Sequence, residues 1–269
     1  MYNDFYEFRQ SPFNITPDPQ FLFFSDHHLE AFNHLLFGIQ ERKGFIQITG
    51  EVGAGKTTLC RALLERLGPQ YKTALILNPV MTGEQLLCLV LAELGIDPHP
   101  DNRMQNLQEL NQYLLDQLHE GNDVVLLIDE AQDLSMELLE EVRLLSNLET
   151  DQRKLLQIVL MGQPELRDLL DRSDLRQLRQ RITVRYHLEP LTLEETDHYI
   201  QHRLHVAGAN SRPVFNRGAV RRVYRYSKGV PRLVNAVCDK TLLCGYVTGA
   251  DKLTRRHVGR AIRELEGRH

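Results

Sequence analysis

The sequence predicts an α/β fold: a doubly wound parallel sheet between helices, followed by a small all-helical domain. Three observations carry that prediction. Two continuous apolar runs, VVLLID (124–129) and LLQIVLMG (155–162), have the pattern of strands buried on both faces. Helix-period segments alternate with these and with two further strand candidates, as right-handed βαβ units require. After Pro190 only helical periodicity remains.

Residues 1–24 mix prolines with aromatics, among them Phe5, Tyr6, Phe8, Phe13, Phe21, Phe23 and Phe24. The prolines disfavour helix from 12 to 19. So many aromatics imply an ordered strap packed on the body. HHLEAFNHLLFGIQ (27–40) reads as an amphipathic helix, FIQIT (45–49) as the first strand and TTLCRALLERL (57–67) as a helix. TALIL (73–77) is a strand, and GEQLLCLVLAELG (83–95) is a helix stopped by glycine. Pro98 and Pro100 mark a loop before a helix over 104–120. SMELLEEVRLLSNL (135–148) is helical, with Ser135 as its N-cap. Thr192 and Glu195 form a capping box that opens a helix to about Ala207. Helices near 215–227, 231–247 and 254–266 follow, with no strand among them.

Residues 50–57, GEVGAGKT, fit G-x-x-x-x-G-K-[ST] with Gly50, Gly55, Lys56 and Thr57 on the defining positions. Glycines let the backbone curl so that successive N–H groups of Gly50, Glu51, Val52, Gly53, Ala54, Gly55, Lys56, Thr57 and Thr58 face phosphate oxygens. Lys56 adds a point charge at the β/γ-phosphates, and the Thr57 hydroxyl suits Mg²⁺. The strand before the loop and the helix after it complete the setting. Nucleotide hydrolysis also needs a metal carboxylate and a group that orients water. Asp129 ends a buried strand, where doubly wound sheets place their ligands, and can share Mg²⁺ with Thr57. Glu130 follows on a diverging side and can face the attacking water.

Composition bounds the rest. The 269 residues are 42% hydrophobic and 25% charged, ordinary for a globular protein with a sizeable core. Net charge is −4, but residues 1–150 hold 9 Lys+Arg against 23 Asp+Glu, while 151–269 hold 23 against 13. An acidic and a basic half suit nucleic acid on the basic half, head-to-tail self-association, or a solvated surface without a partner. Cys60, Cys88, Cys238 and Cys244 form no C-x-x-C pair and are expected as free, buried thiols. No apolar run approaches the ~18 residues that span a bilayer. The charged N-terminus is no signal peptide, so a cytoplasmic chain is expected, either whole or part of something longer. His198, His202 and His205 share one helical face, which is read as solvated or partner-facing, not as a metal site. His27 and His28 are adjacent and face different ways.

In order along the chain, GEVGAGKTTLCRALL, LLIDEAQ, LMGQPEL, LRQRI and GVPRLVN resemble the AAA+ ATPases. They are closer still to the secretion-ATPase family of general secretion pathway protein A, and the strap with PF, TPDP and FLF resembles that family as well. The resemblance implies an AAA+ P-loop NTPase that hydrolyses ATP with Mg²⁺. It implies a strap and helix over 1–42 packing on the ATPase core, an αβα nucleotide-binding domain over 43–190 and a helical lid over 191–269. Gln163 matches the first sensor, where AAA+ proteins more often carry Asn or Thr. Arg232 in GVPR matches the second sensor. Arg181 in LRQRI matches the arginine finger offered to a neighbouring subunit, with Arg176 and Arg179 near enough to compete. Phe13, Pro17 and Phe21 lie by resemblance near the adenine, as an apolar wall or as plain core. Acidic nucleotide faces meeting basic finger faces would give a heterologous ring or spiral.

Two functions of different class follow. One is an ATP-driven motor or switch for a cell-envelope secretion, pilus or exopolysaccharide export system, working with an inner-membrane protein. Members of that family carry a membrane helix and a wall-binding region after the lid, neither of which is in this sequence. The other is a DNA-associated AAA+ regulator of the transposition-ATPase type, with the basic half as its footprint. Overall acidity and the lack of a long basic run weigh against the second. A nucleotide-gated scaffold is a third, and Glu130 weighs against it.

Overall fold

The computed structural model describes every residue except Pro17, Asp151, Gln152, Ser211, Arg268 and His269, and the side chain of Pro19. In chain order the elements begin with α1 (Tyr2–Tyr6), α2 (Asp26–Gln40), β1 (Phe45–Gly50), α3 (Lys56–Arg66), β2 (Tyr71–Ile76), α4 (Gly83–Glu93) and α5 (Arg103–His119). Next come β3 (Asp123–Ile128), α6 (Met136–Leu145), β4 (Leu156–Gly162), α7 (Glu165–Leu170), α8 (Arg176–Arg181) and β5 (Ile182–Leu188). Last are α9 (Leu193–Val206), β6 (Val214–Phe215), α10 (Arg217–Ser227), α11 (Pro231–Val247), β7 (Lys252–Leu253) and α12 (Arg255–Leu265). They divide into two compact units, one of Leu29–Gly50 and Cys60–Leu188, the other of Met1–His28, Glu51–Leu59 and Glu189–His269.

The first unit is built on a five-stranded sheet in the order β2-β3-β4-β1-β5, parallel throughout. The two apolar runs become its central strands. Every residue of β4 is buried, as are Val124 to Ile128 of β3. Each such aliphatic contributes on the order of 1.5–3 kcal/mol by leaving water. Leu86, Leu87, Val90 and Leu91 of α4, Leu110 and Leu114 of α5, and Leu138, Leu139 and Val142 of α6 cover the sheet from stripes at helical spacing. The cap expected at Ser135 forms, its Oγ accepting Leu138 N–H at 3.2 Å, and Thr82, not singled out in the sequence, caps α4.

Three elements of this unit lie outside the sequence reading: the short helices α7 and α8 and the strand β5. In β5 Thr183 and Arg185 are exposed while Ile182, Val184 and Leu188 are buried. That is the half-solvated pattern of an edge strand, weaker than the apolar runs of the interior.

The second unit is a helical cluster of α9 to α12. Its buried core joins Tyr199, Ile200, Leu204, Val220, Val223, Val234, Val237, Leu242 and Val258 with Tyr6, Phe8, Phe13 and Phe21 of the N-terminal segment. The aromatic strap is therefore ordered, as its composition implies, but it completes the helical core, whereas the sequence reading lays it on the ATPase core. Its first residues form α1. A two-residue parallel pairing of β6 with β7 ties the loops before α10 and α12 together, an addition to the purely helical lid expected. The capping box at Thr192 and Glu195 forms, with Thr192 Oγ1 accepting Glu195 N–H at 3.2 Å.

One buried cation anchors the strap. Arg203 of α9 is 6% exposed. Its Nε donates to the Pro12 carbonyl at 2.5 Å, one terminal nitrogen to the Asn14 carbonyl at 3.1 Å and the other to the Tyr199 hydroxyl at 3.2 Å. The guanidinium also lies 4.4 Å from the Phe21 ring centroid. Two backbone carbonyls of the strap thus depend on one side chain. Replacing it by an apolar chain of similar length leaves them unsatisfied. Arg203→Met is expected to destabilise the chain by about 2–4 kcal/mol, read as a fall in the urea midpoint; a midpoint unchanged within error would refute the anchoring role.

Candidate nucleotide site

Strand order decides where the sheet can bind anything. From β1 the chain crosses to β2 at the far edge, and from β4 it crosses the other way to β5. β1 and β4 are neighbours whose following segments diverge, so the crevice of the sheet opens at their carboxyl ends. β3 is the next strand along. The residues after these strand ends are the ones the sequence singles out.

At the end of β3, Asp129 is 2% exposed, and its Oδ1 accepts Glu130 N–H at 2.9 Å. Glu130 has φ +50°, a left-handed conformation unusual for a non-glycine residue. Its carboxylate is held from two directions. Gln132 Nε2 donates to Glu130 Oε2 at 3.0 Å, and Gln163 Nε2 donates to the same oxygen at 3.3 Å. Gln132 Oε1 in turn accepts the Gln163 backbone N–H at 2.9 Å. Both amides take one oxygen of Glu130 and leave the other to a third donor. Gln163 is expected from the sequence and Gln132 is not, its only signal being its place in DEAQ.

In the helical unit, the segment Glu51–Leu59 forms the phosphate-loop candidate. Ala54 N–H donates to the Glu51 carbonyl at 3.0 Å and closes a tight turn. Gly53 has φ +79° and Gly55 φ +103°. A Cβ at Gly53 would come within 2.4 Å of Arg232 Cβ, and Arg232 N–H donates to the Gly53 carbonyl at 3.2 Å. The start of α11 therefore rests directly on the loop. Lys56, 6% exposed, opens α3 and returns its Nζ to the Glu51 carbonyl at 3.2 Å. The ammonium thus spans the loop, and the amino end of α3 adds its dipole. A curled loop with a captive ammonium across it fits a polyphosphate.

Residues 39–170 match the AAA domain family. The chain is also 43% identical over 268 residues, 99% of its length, to general secretion pathway protein A of Aeromonas hydrophila. Residues 39–170 form an AAA domain. The chain spans 49% of that relative's length. Solved structures agree on the fold. Cdc6p of Pyrobaculum aerophilum aligns with TM-score 0.67 at 14% identity, covering 97% of this chain and 70% of that one. The RuvB Holliday junction branch migration motor of Thermotoga maritima aligns with TM-score 0.59 at 18% identity, covering 88% and 68%.

The remaining candidate residues divide by their surroundings. Arg181 is half-buried and docked on the end of α6, its guanidinium donating to Ser146 Oγ at 2.6 Å and the Arg143 carbonyl at 3.2 Å. Arg179 reaches Asp171 at 3.5 Å, and Arg176 is exposed. Phe13 and Phe21 are core residues, 1% and 4% exposed, which is the packing alternative for the strap. Pro17 lies outside the described residues. His198 and His205 are exposed, whereas the His202 ring lies 5.7 Å from that of Phe23. Burial lowers the His202 imidazole below its ordinary value. Cys60 and Cys238 are buried thiols, and burial pushes Cys60 up to about 12. Among the described residues no helix is long and apolar enough to cross a membrane.

Proposed function

We propose that the chain binds ATP with Mg²⁺ on residues 50–58, hydrolyses it at a site shared between subunits, and uses the cycle to drive or switch assembly of a cell-envelope secretion, pilus or export system. The chemical part rests above all on the Glu130 carboxylate, held by two amides beside a buried aspartate at the carboxyl edge of the sheet. The cellular part rests on the likeness to general secretion pathway protein A along the whole chain. An inner-membrane protein of such a system is the proposed partner, placing the chain on the cytoplasmic face.

In this reading the loop amides and Lys56 carry the phosphates. Thr57 and Asp129 are the hard oxygen ligands for Mg²⁺, which needs only one or two protein oxygens when phosphates and water complete its shell. When bound, the ion offsets charge on the phosphate oxygens. Glu130 orients the attacking water and takes its proton through the oxygen that the amides leave open. Gln163 holds Glu130 in register with that water. Arg232, already against the loop, reports nucleotide state to residues 191–269, the proposed lid beside an ATPase domain of 43–190. A neighbouring subunit supplies Arg181, which must first leave Ser146 and the Arg143 carbonyl. Arg176 and Arg179 are the competing fingers.

Lys56→Ala is expected to weaken ATP binding about 100-fold, measured with labelled ATP; undiminished binding would refute the cradle. Glu130→Gln is expected to keep ATP affinity within about threefold while kcat falls about 100-fold or more. Full turnover would remove Glu130 from the chemistry. Mixing Arg181→Ala with Lys56→Ala subunits is expected to restore ATPase activity at mixed sites, and no recovery at any ratio would rule out Arg181 in trans.

A further inference from the structure

Deep in the helical unit, a histidine outside the phosphate-loop motif is bonded to the loop's backbone. His28, in the first turn of α2, is 3% exposed. Its Nε2 lies 3.0 Å from the Ala54 carbonyl oxygen and its Nδ1 lies 2.7 Å from Ser25 Oγ. A carbonyl only accepts, so Nε2 carries the hydrogen. The neutral ring then presents a bare Nδ1, which takes the Ser25 hydroxyl hydrogen. Ser25 Oγ also accepts the His28 backbone N–H at 3.3 Å. Both ring nitrogens and the Ser25 hydroxyl are satisfied in one tautomer. Burial keeps the imidazole below its ordinary value, with Glu195 and His27 as the nearby charges acting on it.

The consequence lies in the peptide plane. In a trans peptide the C=O of one residue and the N–H of the next point in opposite directions. Fixing the Ala54 carbonyl on His28 therefore turns the Gly55 N–H away from His28. The contact is close, since a Cβ on Gly55 would lie 3.1 Å from His28 Nε2. The neighbouring residue continues the link, because Asp26 N–H donates to Glu195 Oε1 of α9 at 3.3 Å.

We propose that His28 is a positioning residue for phosphate binding: it holds the Ala54–Gly55 peptide so that the Gly55 N–H is directed at the nucleotide's phosphates, with Ser25 selecting the tautomer that does so. This rests on the reading of residues 50–58 as the phosphate cradle.

The test compares His28→Gln, whose amide nitrogen can take the place of Nε2, with His28→Asn, whose shorter chain puts its donor at the Nδ1 position, and with apolar His28→Leu. His28→Leu and His28→Asn are expected to raise the KM for ATP about tenfold, the loss of one buried hydrogen bond, with kcat within about twofold. His28→Gln is expected to recover most of the affinity. Equal KM for His28→Leu and the unaltered protein, or no rescue by glutamine among variants of equal melting temperature, would overturn the proposal. Should the variants not fold, ¹⁵N spectra of the unaltered protein at pH 7 decide it: an Nε2–H neutral ring on His28 is expected, and an Nδ1–H ring would overturn it. Lys56→Ala in the same assay keeps the two readings apart. If it binds labelled ATP normally, the cradle itself fails; if it loses ATP while His28→Leu does not, only the role of His28 fails.

Discussion

A parallel sheet buried on both faces offers chemistry only its ends. Here β4 is inserted between β1 and β3, and that insertion orders everything at the carboxyl edge. It sets the residue after β4 beside the residues after β3, so that Gln163 meets Glu130 although 33 positions separate them. Without that insertion the acidic pair would end an ordinary strand, and only the local amide of Gln132 would reach it. The buried aliphatics of β3 and β4 hold this register, because slipping one strand would carry its whole bonding pattern away from its neighbours.

Glu130 shows how the edge makes a strained conformation worthwhile. A non-glycine residue in the left-handed region costs on the order of 1 kcal/mol or more. Two amide bonds to its carboxylate, each contributing about 1 kcal/mol, together with the bond from its own N–H to Asp129, offset that cost. Gln132 does double duty, bonding the carboxylate with one end and the Gln163 backbone with the other. The backbone kink and the side-chain bonds select the same orientation of one carboxylate, so its direction is set before any ligand arrives.

What was legible in the sequence follows the physics of each signal. The runs at 124–129 and 155–162 announce strands because burial on both faces removes the need for polar residues. The capping box at Thr192 and the glycine loop are legible because their bonds close within three to five residues. The edge strand β5 was not, since its outward Thr183 and Arg185 dilute the period and a short arginine-rich helix runs straight into it. The strap's aromatics predicted burial but not the surface that buries them, which depends on Arg203, 191 residues from Pro12. Gln132 and His28 are invisible for the same reason: each acts through a bond to a residue 26 or more positions away.

A division of labour results. In the proposed site, residues inside the motifs bring functional groups: an ammonium, a hydroxyl, two carboxylates. Residues outside them bring direction. A phosphate-loop amide is useful only if its peptide is turned the right way, and glycines, by freeing the backbone, leave that turn undetermined. Something beyond the loop must choose it. In this chain Arg232 bonds the Gly53 carbonyl and His28 faces the Ala54 carbonyl, so two successive peptides are oriented from outside. Both orienting residues belong to segments that also contact α9 or α11. The loop's geometry is thus a property of the helical unit, and α11 meets the loop at Gly53.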